Sequence, residues 1–352
     1  MAAYTTVDDP SVYFQTALYT GNASNNTITN DGNSDLKPDL VWTKARSGAS
    51  HHTNVDSSRG AGKQIYPNLT AAEESVAGVD QFHTDGFRVG SNGTANANTI
   101  THVAWQWKAN GGTTATNTTG SLDSVVQANT TAGFSIVTFT SASSGNFSVG
   151  HGLGVQPAMI ITKSRDGASN WWTWHKGLTG GNSNTSYVVA LERTTAEASY
   201  ANAWGSTGVT SSVFGMQSGN TAEASDAYVA YCFAEKQGYS KFGSYVGNGN
   251  ADGPFVYTGF KPAFVMLKPA GINEHWVMHD NTRDPHNKTY HYLFANESEA
   301  EAAGGTHHID LLSNGFKIRT SNNNWNTTSN IVYMAFAENP FVTSTGTPTT
   351  AR

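Results

Sequence analysis

The sequence predicts an all-β protein made of three tandem, related β-sandwich-like domains. Short runs of alternating apolar and polar residues, the pattern of strands about five residues long, dominate the chain of 352 residues. One sequence motif, the repeated phrase, occurs three times. It consists of an aromatic residue, a turn rich in Gly, Asn and Ser, an X-Pro step, and an apolar run that ends in lysine. The three copies lie at 19–44, 139–163 and 240–268.

Each copy is followed by a closing run of aromatic and small residues, and these runs share the alanines Ala104, Ala230 and Ala335. The alanines lie much further apart than the ~20 to 50 residues of a solenoid repeat, and a unit of this length is large enough to have its own core. The chain is therefore expected to form three small domains. We further expect them to pack around a pseudo-threefold axis, because a chain with three copies can take the place of a trimer.

Composition and the repeats together give the domain boundaries. Residues 1–110 form the first predicted domain, 111–121 a Gly- and Thr-rich linker, 122–238 the second domain, 239–342 the third domain, and 343–352 a flexible tail of low complexity.

The order of predicted elements is the same in each domain. The first domain begins with a strand within 11–20, continues into the apolar run 40–44, and ends with a hairpin-like pair at 85–91 and 101–107. The second domain repeats this order with strand-like runs at 133–140, 149–164 and 170–177. The third domain carries the clearest copy of the repeated phrase.

One short helix is predicted in the same position of every domain. The pairs of residues at the spacing of a capping box are Thr70 with Glu73 and Thr194 with Glu197. In the third domain an Ala- and Glu-rich run at 293–305 ends in Gly304 and Gly305, and glycines commonly terminate helices.

Composition excludes several classes of function. Charged residues make up only 13% of the chain, the net charge is −6, and no stripe of Lys and Arg interleaved with aromatic residues occurs. Nucleic acid is therefore not an expected partner. The single cysteine, Cys232, predicts no intrachain disulfide. The amino terminus lacks the features of a signal peptide, and no apolar run is long enough to span a bilayer, so neither export nor membrane insertion is predicted.

Two Asp-x-x-Arg motifs, Asp56 with Arg59 and Asp280 with Arg283, are the first candidates for chemistry. They are interpreted as salt bridges that steady a turn, because repetition in two domains fits a requirement of the fold better than a single active site. A substrate-pairing role is the alternative. His275 and His279 lie in a strand-like run that separates them by about 13 Å, too far to share a metal ion.

No metal, cofactor or catalytic residue is predicted. The loop 248–253 loosely resembles a calcium loop but lacks its spaced carboxylates, so a turn is expected there. Glycoside cleavage requires two carboxylates flanking the scissile bond. The acidic cluster Glu297, Glu299 and Glu301 falls in the predicted third helix, where acids near the amino end are explained by the helix dipole.

Aromatic and amide side chains remain as candidate binding residues. The candidates are Asn170, Trp171, Trp172, Trp174 and His175. Alternation along a strand places Trp172 and Trp174 on one face and Trp171 on the other. An exposed indole beside Asn and His suits recognition of a sugar or a protein, since aromatic faces stack and amides bond to hydroxyls. The alternative is that all three indoles pack in a core or between domains.

Three long segments carry a resemblance to a known family. The segments at 150–167, 228–268 and 311–320, followed by the run at 333–341, resemble an uncharacterised domain family common in marine bacteriophages, in proteins labelled tail fibre or virion structural protein. The resemblance covers nearly all of residues 30–341. It implies a place on a virion, after synthesis in the host cytoplasm, and it supplies no catalytic residues.

The expected function is that of a non-enzymatic virion protein, on the tail or a fibre, that engages the host surface through aromatic and amide groups. Its expected partners are other virion proteins and a glycan or protein of the host surface. The protein itself is expected in multiple copies per virion. A capsid or tail decoration protein that binds only virion proteins is the second hypothesis. A surface polysaccharide depolymerase is the third.

Overall fold

The computed structural model describes residues 4–304 and 307–349. It confirms the all-β class, since 42% of the residues lie in strands and 4% in helices. The predicted helix-terminating Gly305 and the last three residues of the predicted tail lie outside the described residues. None of the helices in the described ranges is long and apolar enough to cross a membrane.

In the described ranges, twenty-eight strands build three domains. Those of domain 1 are β1 (Phe14–Thr20), β2 (Asn26–Ile28), β3 (Leu40–Ala45), β4 (Thr53–Asp56), β5 (Lys63–Gln64), β6 (Glu74–Ser75), β7 (Val79–Phe82), β8 (Phe87–Val89) and β9 (Thr101–Trp107). Those of domain 2 are β10 (Ala115–Asn117), β11 (Ser124–Asn129), β12 (Phe134–Thr140), β13 (Gly145–Gly150), β14 (Met159–Ser164), β15 (Trp172–His175), β16 (Tyr187–Ala190), β17 (Ala198–Ser199), β18 (Val213–Ser218) and β19 (Ala227–Phe233). Those of domain 3 are β20 (Ser240–Val246), β21 (Phe255–Tyr257), β22 (Phe260–Pro269), β23 (Val277–Asp280), β24 (His291–Phe294), β25 (Ala302–Ala303), β26 (Ile309–Leu312), β27 (Gly315–Ile318) and β28 (Asn330–Pro340).

Each domain is a large antiparallel sheet faced by a small one. The large sheets have the orders β1-β9-β3-β4, β10-β11-β12-β19-β14-β15-β16-β17 and β20-β28-β22-β23-β24-β25. The small sheets are β2-β8-β7, β13-β18 and β21-β27-β26. In the three large sheets the last strand of the domain, β9, β19 or β28, lies between β1, β12 or β20 on one side and the strand that carries the repeated lysine on the other. The three repeats of the sequence are thus three copies of one topology.

The strand register corrects one equivalence expected from the sequence. Lys44 is paired with Val103, Lys163 with Val229 and Lys268 with Val332. The third-domain counterpart of Ala104 and Ala230 is therefore the residue after Val332, which is a tyrosine, and not Ala335. A shift of two residues keeps every side chain on the same face of the strand, so alternation alone cannot detect it.

Both faces of each large sheet are buried. One face packs against the small sheet of its own domain and forms a separate core. The other face contributes to a central core shared by all three domains. At its centre the equivalent residues Trp107, Phe233 and Phe336 contact one another, with ring centroids 5.7 to 6.2 Å apart. Burial on two sides explains why β3 and β14 are apolar or buried at every position.

The helices lie elsewhere than predicted. The segments that carry Thr70, Thr194 and Glu299 contain no helix, and each runs extended into a two-residue strand, β6, β17 or β25. Two short helices, α1 (Gly93–Asn96) and α2 (Asn323–Asn326), occur instead just before β9 and β28. The capping-box prediction was wrong because these segments gain their hydrogen bonds from the neighbouring domain rather than from a helical turn.

Short single-turn 3-10 helices lie at Pro10–Val12 and Gly181–Ser183. The segment predicted as a linker, 111–121, contains β10, which pairs with β11 at the edge of the large sheet of domain 2. The described part of the predicted tail also makes contacts, since the Ser344 backbone and hydroxyl both donate hydrogen bonds to the carboxylate of Asp8.

Candidate functional site

Three extended segments connect the domains in a cycle. We call them the arm segments; they comprise residues 68–75, 192–199 and 296–303. The backbone N–H of Glu73 donates to Arg165 O in domain 2, that of Glu197 to Ala270 O in domain 3, and that of Glu301 to Arg46 O in domain 1, at 2.7 to 2.9 Å. Every arm therefore docks on the equivalent place of the next domain, two residues beyond the repeated lysine. This cycle is the pseudo-threefold arrangement that the sequence predicted.

Two of the three repeated lysines donate hydrogen bonds directly to the arm segments. Lys44 Nζ donates to Ser298 O and Glu299 O of one arm, and Lys268 Nζ donates to Thr194 O of another. Lys163 Nζ bonds within its own domain, to Gly167 O among others. Burial lowers the pKa of Lys44 and Lys163 to about 8 and that of Lys268 to about 7. The lysine that ends each apolar run is a structural element of the fold.

The Asp-x-x-Arg motifs lie at two of the junctions. Asp280 accepts hydrogen bonds from Arg283 Nε at 2.6 Å and from Trp105 Nε1 of domain 1 at 3.0 Å. Arg283 also pairs with Glu301, which itself pairs with Arg46 of domain 1. The side chains of Asp280 and Arg283 are fully buried. The predicted salt bridge within the repeat is confirmed, and the motif extends across the domain boundary.

The junction of domains 1 and 2 has the same arrangement. Asp56 pairs with Arg59 and accepts a hydrogen bond from Tyr231 of domain 2 at 2.8 Å. Arg59 pairs with Glu73, which pairs with Arg165 of domain 2. Each junction thus buries two carboxylates between two guanidinium groups, so that every charge has a partner.

The junction of domains 2 and 3 carries a neutral histidine where the other two junctions carry an aspartate. His175 occupies the place of the two aspartates at the end of β15, and its Nε2 bonds to Tyr333 O of domain 3 at 3.0 Å. The backbone N–H of Gly177 donates to His175 Nδ1. Burial lowers the pKa of His175 to about 4, so the imidazole is neutral.

Three of the five binding residues predicted from the sequence are buried. Trp171 is fully buried between domains, where its indole N–H donates to Tyr66 O and Leu69 O of domain 1. Trp174 is fully buried in the core of domain 2, and His175 is at the junction already described. Because they are buried, Trp171, Trp174 and His175 cannot contact an external ligand.

Only the margin of the predicted patch reaches the surface. Trp172 is partly buried and packs edge-on against the exposed Tyr200, with ring centroids 5.6 Å apart. Asn170 is also partly exposed, and its Oδ1 accepts a hydrogen bond from Arg193. The expected alternation is present, because Trp172 and Trp174 face the core of domain 2 while Trp171 faces the central core.

The most exposed aromatic surface lies on β21, at the edge of the small sheet of domain 3. Phe255 is 44% exposed and Tyr257 is 55% exposed, while Val256 between them is buried. Gly315 on β27 allows the Phe255 ring to lie against the sheet, since a Cβ there would lie 2.9 Å from that ring. We call Phe255 and Tyr257 the aromatic strand.

Comparison of the three domains shows that the fold does not require this surface. In each small sheet a buried Phe pairs with a buried aliphatic residue: Phe87 with Ile28, Phe214 with Val149, and Phe316 with Val256. The residues flanking the aliphatic one are Thr27 and Thr29 in domain 1, Ser148 and Gly150 in domain 2, and Phe255 and Tyr257 in domain 3. Phe255 and Tyr257 were not among the binding residues predicted from the sequence, although aligning the three copies of the repeat reveals this departure.

Other polar clusters have structural roles. Asn326 Nδ2 donates to Asn248 Oδ1 and Asn250 O, and so holds the loop that resembles a calcium loop. Asn96 holds the equivalent loop of domain 1 through Asn22 in the same way. Among residues 4–304 and 307–349 no group of three His, Cys, Asp or Glu side chains is placed to hold a metal ion.

Comparisons with known proteins give one result. No curated protein and no solved structure matches the chain. A family model described as a domain of unknown function, DUF7483, matches residues 9–340, which contain all three domains. The three-domain assembly, and not one repeat, is therefore the unit of the family, and the chain belongs to the DUF7483 family.

Proposed function

We propose that this chain is a bacteriophage virion protein, associated with the tail or a fibre, that contacts the host surface and performs no catalysis. The observation that carries the proposal is the aromatic strand, an exposed aromatic pair at a position where the other two domains carry small or hydroxyl side chains. Residues that depart from an internal repeat and lie on the surface are free of the packing demands that fix the others. The resemblance to phage virion proteins supplies the setting.

The surface chemistry of the aromatic strand suits a host glycan or protein. Exposed Phe and Tyr rings stack on the apolar faces of sugars and fill pockets of partner proteins. Lys317 and Asp252, an ion pair with Nζ and Oδ1 2.8 Å apart, lie beside β21 and provide polar partners. A rigid sheet presents the two rings without the entropy cost of ordering a loop.

The test is binding to candidate host cells. Labelled protein is expected to bind saturably and to block infection, and the double variant Phe255→Thr/Tyr257→Thr, which restores the residues of domain 1, is expected to weaken binding at least about tenfold. Stability should change by less than about 1 kcal/mol, because both side chains are exposed on a sheet edge. Leu18→Thr removes an apolar side chain of similar exposure, 39%, from domain 1 and serves as the control.

A second experiment distinguishes host contact through Phe255 and Tyr257 from host contact through the aromatic surface near Trp172. If Tyr200→Ser weakens cell binding and the β21 double variant does not, the host-binding surface lies in domain 2 and the assignment to the aromatic strand is wrong. Release of reducing sugar from host polysaccharide would contradict the absence of catalysis.

A decoration or assembly role is the second candidate function. It is favoured by the sheet edges of domains 1 and 3, since β1 and β20 have no neighbour on their outer side in the described part of the chain. The equivalent strand of domain 2, β12, is covered by β11 and β10. An open edge accepts a strand from a partner protein. Binding to purified virions that lack this protein, with no binding to host cells, would establish this role instead.

A further inference from the structure

We propose that a polar groove between domains 1 and 3 binds a neutral saccharide without cleaving it. The groove consists of two adjoining depressions of about 470 and 300 Å³, which share Asn281, Glu338 and Asn339 as a common wall. These volumes are typical of small-ligand sites. The proposal deepens the proposed function, and it rests on that function only for the source of the saccharide, the host surface.

The groove is larger in domain 3 than at the two equivalent places of the described chain. Glu338 and Glu235 both lie two residues after a phenylalanine of the central aromatic cluster. In domain 2 the carboxylate of Glu235 is held by Lys176 and Lys241, and the depression there measures about 230 Å³. In domain 3 the position of Lys176 is taken by the shorter Asn281.

In domain 1 the equivalent place is filled by the chain itself. The carboxylate of Asp39 accepts hydrogen bonds from the backbone N–H groups of Ala109 and Gly111, at 2.8 Å each. The loop that leads to domain 2 thus occupies the space. Because the chain fills one copy of the site and lysines narrow a second, the larger groove in domain 3 is not a consequence of the shared fold alone.

The groove is lined by a carboxylate that is already hydrogen-bonded and by a hydroxyl without a hydrogen-bond partner among the described residues. Glu338 Oε2 accepts from Lys261 Nζ at 2.6 Å and from Asn281 Nδ2 at 2.9 Å. Thr16 lines the second depression and is only 8% exposed, and its hydroxyl has no hydrogen-bond partner among the residues that the structure describes. A buried hydroxyl without a partner costs free energy unless a ligand or water bonds to it. The described residues supply no partner for this hydroxyl, so a ligand or water that reaches it would satisfy it.

The chemistry of the wall indicates the class of ligand. Carboxylate oxygens and amide groups lie side by side in the groove, and a sugar presents neighbouring hydroxyls that donate and accept at the same time. The charged side chains of the two depressions are Asp31, Asp284, Glu338 and Lys261. This negative balance opposes a phosphate, a uronate or another anion. A neutral oligosaccharide fits both the hydrogen-bonding pattern and the elongated shape.

The experiment is direct binding of neutral hexasaccharides to the full chain. Maltohexaose, cellohexaose, and hexasaccharides of mannan and galactan are the neutral probes, hexagalacturonate is the anionic probe, and binding is followed by saturation-transfer NMR at up to about 10 mM ligand, a range that detects weak sites. At least one neutral probe is expected to bind. Asn339→Ala and Thr16→Val are each expected to raise its Kd about tenfold, the effect of losing a hydrogen bond in a desolvated site.

Two controls keep the result interpretable. Thr16→Val keeps the shape of the side chain and removes a hydroxyl that has no hydrogen-bond partner among the described residues, so thermal stability should be unchanged or slightly higher while binding falls. Asn182→Ala changes the depression of domain 2 and should leave the Kd unchanged.

Failure of every neutral probe to bind, or binding that Asn339→Ala and Thr16→Val leave unchanged, overturns the proposal. A preference for hexagalacturonate overturns the assignment to neutral sugars, and release of reducing ends makes the groove an active centre instead. These outcomes are independent of cell binding through Phe255 and Tyr257, so the groove and the host-contact proposal fail separately.

Discussion

Lowering the pH from 7 to about 5 is expected to unfold this protein, because it buries neutral histidines. Desolvation lowers the pKa of His102, His151 and His175 to about 4 and that of His279 to about 3, and it holds the pKa of His52 well below its usual value. The unfolded chain binds protons near pH 6.5 and the folded chain does not. The stability of these groups is therefore fully present above pH 6.5 and is lost as the pH falls toward 4.

In His52 and His279 a hydrogen bond from a tryptophan opposes protonation in addition to desolvation. His52 Nδ1 accepts from Trp42 Nε1 at 2.9 Å, and His279 Nε2 accepts from Trp325 Nε1 at 2.8 Å. Protonation of the accepting nitrogen would break these bonds. At pH 5 each of the four histidines with a pKa of about 3 to 4 costs about 2 kcal/mol, so these four together cost about 8 kcal/mol, which is comparable to the whole stability of a typical domain.

Other titrating groups modify this result in known directions. Hydrogen bonds and charges from Arg165 and Arg59 lower the pKa of Glu73 despite its burial, so its contribution is lost only below about pH 4.5. Desolvation raises the pKa of Asp39 and Glu192, and these two groups oppose acid unfolding. The histidines outnumber them and titrate first.

Tryptophan fluorescence and far-UV circular dichroism between pH 8 and 4 measure the transition. His151→Gln should move the midpoint to lower pH, while His286→Gln, at an exposed position, should leave it unchanged. A protein that keeps its native spectrum at pH 4.5 would contradict the buried neutral state of these rings.

Arg283→Met is expected to lower the free energy of unfolding by about 3 to 5 kcal/mol, because it leaves Asp280 and Glu301 buried without their partner. The loss includes the contact of the guanidinium with the Trp105 ring, 5.6 Å from its centroid. Because the cluster joins domain 3 to domain 1, we expect the variant to loosen that junction first. Urea unfolding, followed by fluorescence, measures the change.

Two further variants test this explanation. Arg88→Met breaks a partly exposed ion pair with Asp80 on the small sheet of domain 1 and should lower the free energy of unfolding by less than about 1 kcal/mol. Adding Asp280→Asn to Arg283→Met should recover part of the loss, because it removes one of the unpaired charges. If Asp280→Asn lowers the free energy of unfolding of Arg283→Met by as much as it lowers that of the unmodified protein, the unpaired carboxylate is not the source of the effect.

Internal repetition made much of the structure predictable. The all-β class, the three domains and their cyclic arrangement follow from a repeated phrase and from strand alternation. The Asp-x-x-Arg motifs were recognised as structural because they occur twice. The helices were not predictable, since Thr70 and Glu73 have a capping spacing but obtain their hydrogen bonds from Arg165 and Ser169 of domain 2. Local propensity has no information about such distant partners.

The candidate site shows the same division. The sequence alone predicted the strands, the repeats, the ion pairs within the repeats and the low surface charge, because period-two alternation and residue chemistry act locally. Only the tertiary structure decided which aromatic residues face solvent: Trp171 is covered by domain 1, and Phe255 and Tyr257 remain open on an edge strand. The groove between domains 1 and 3 also depends on the packing of distant segments, since burial is a property of the assembled domains and not of any one strand.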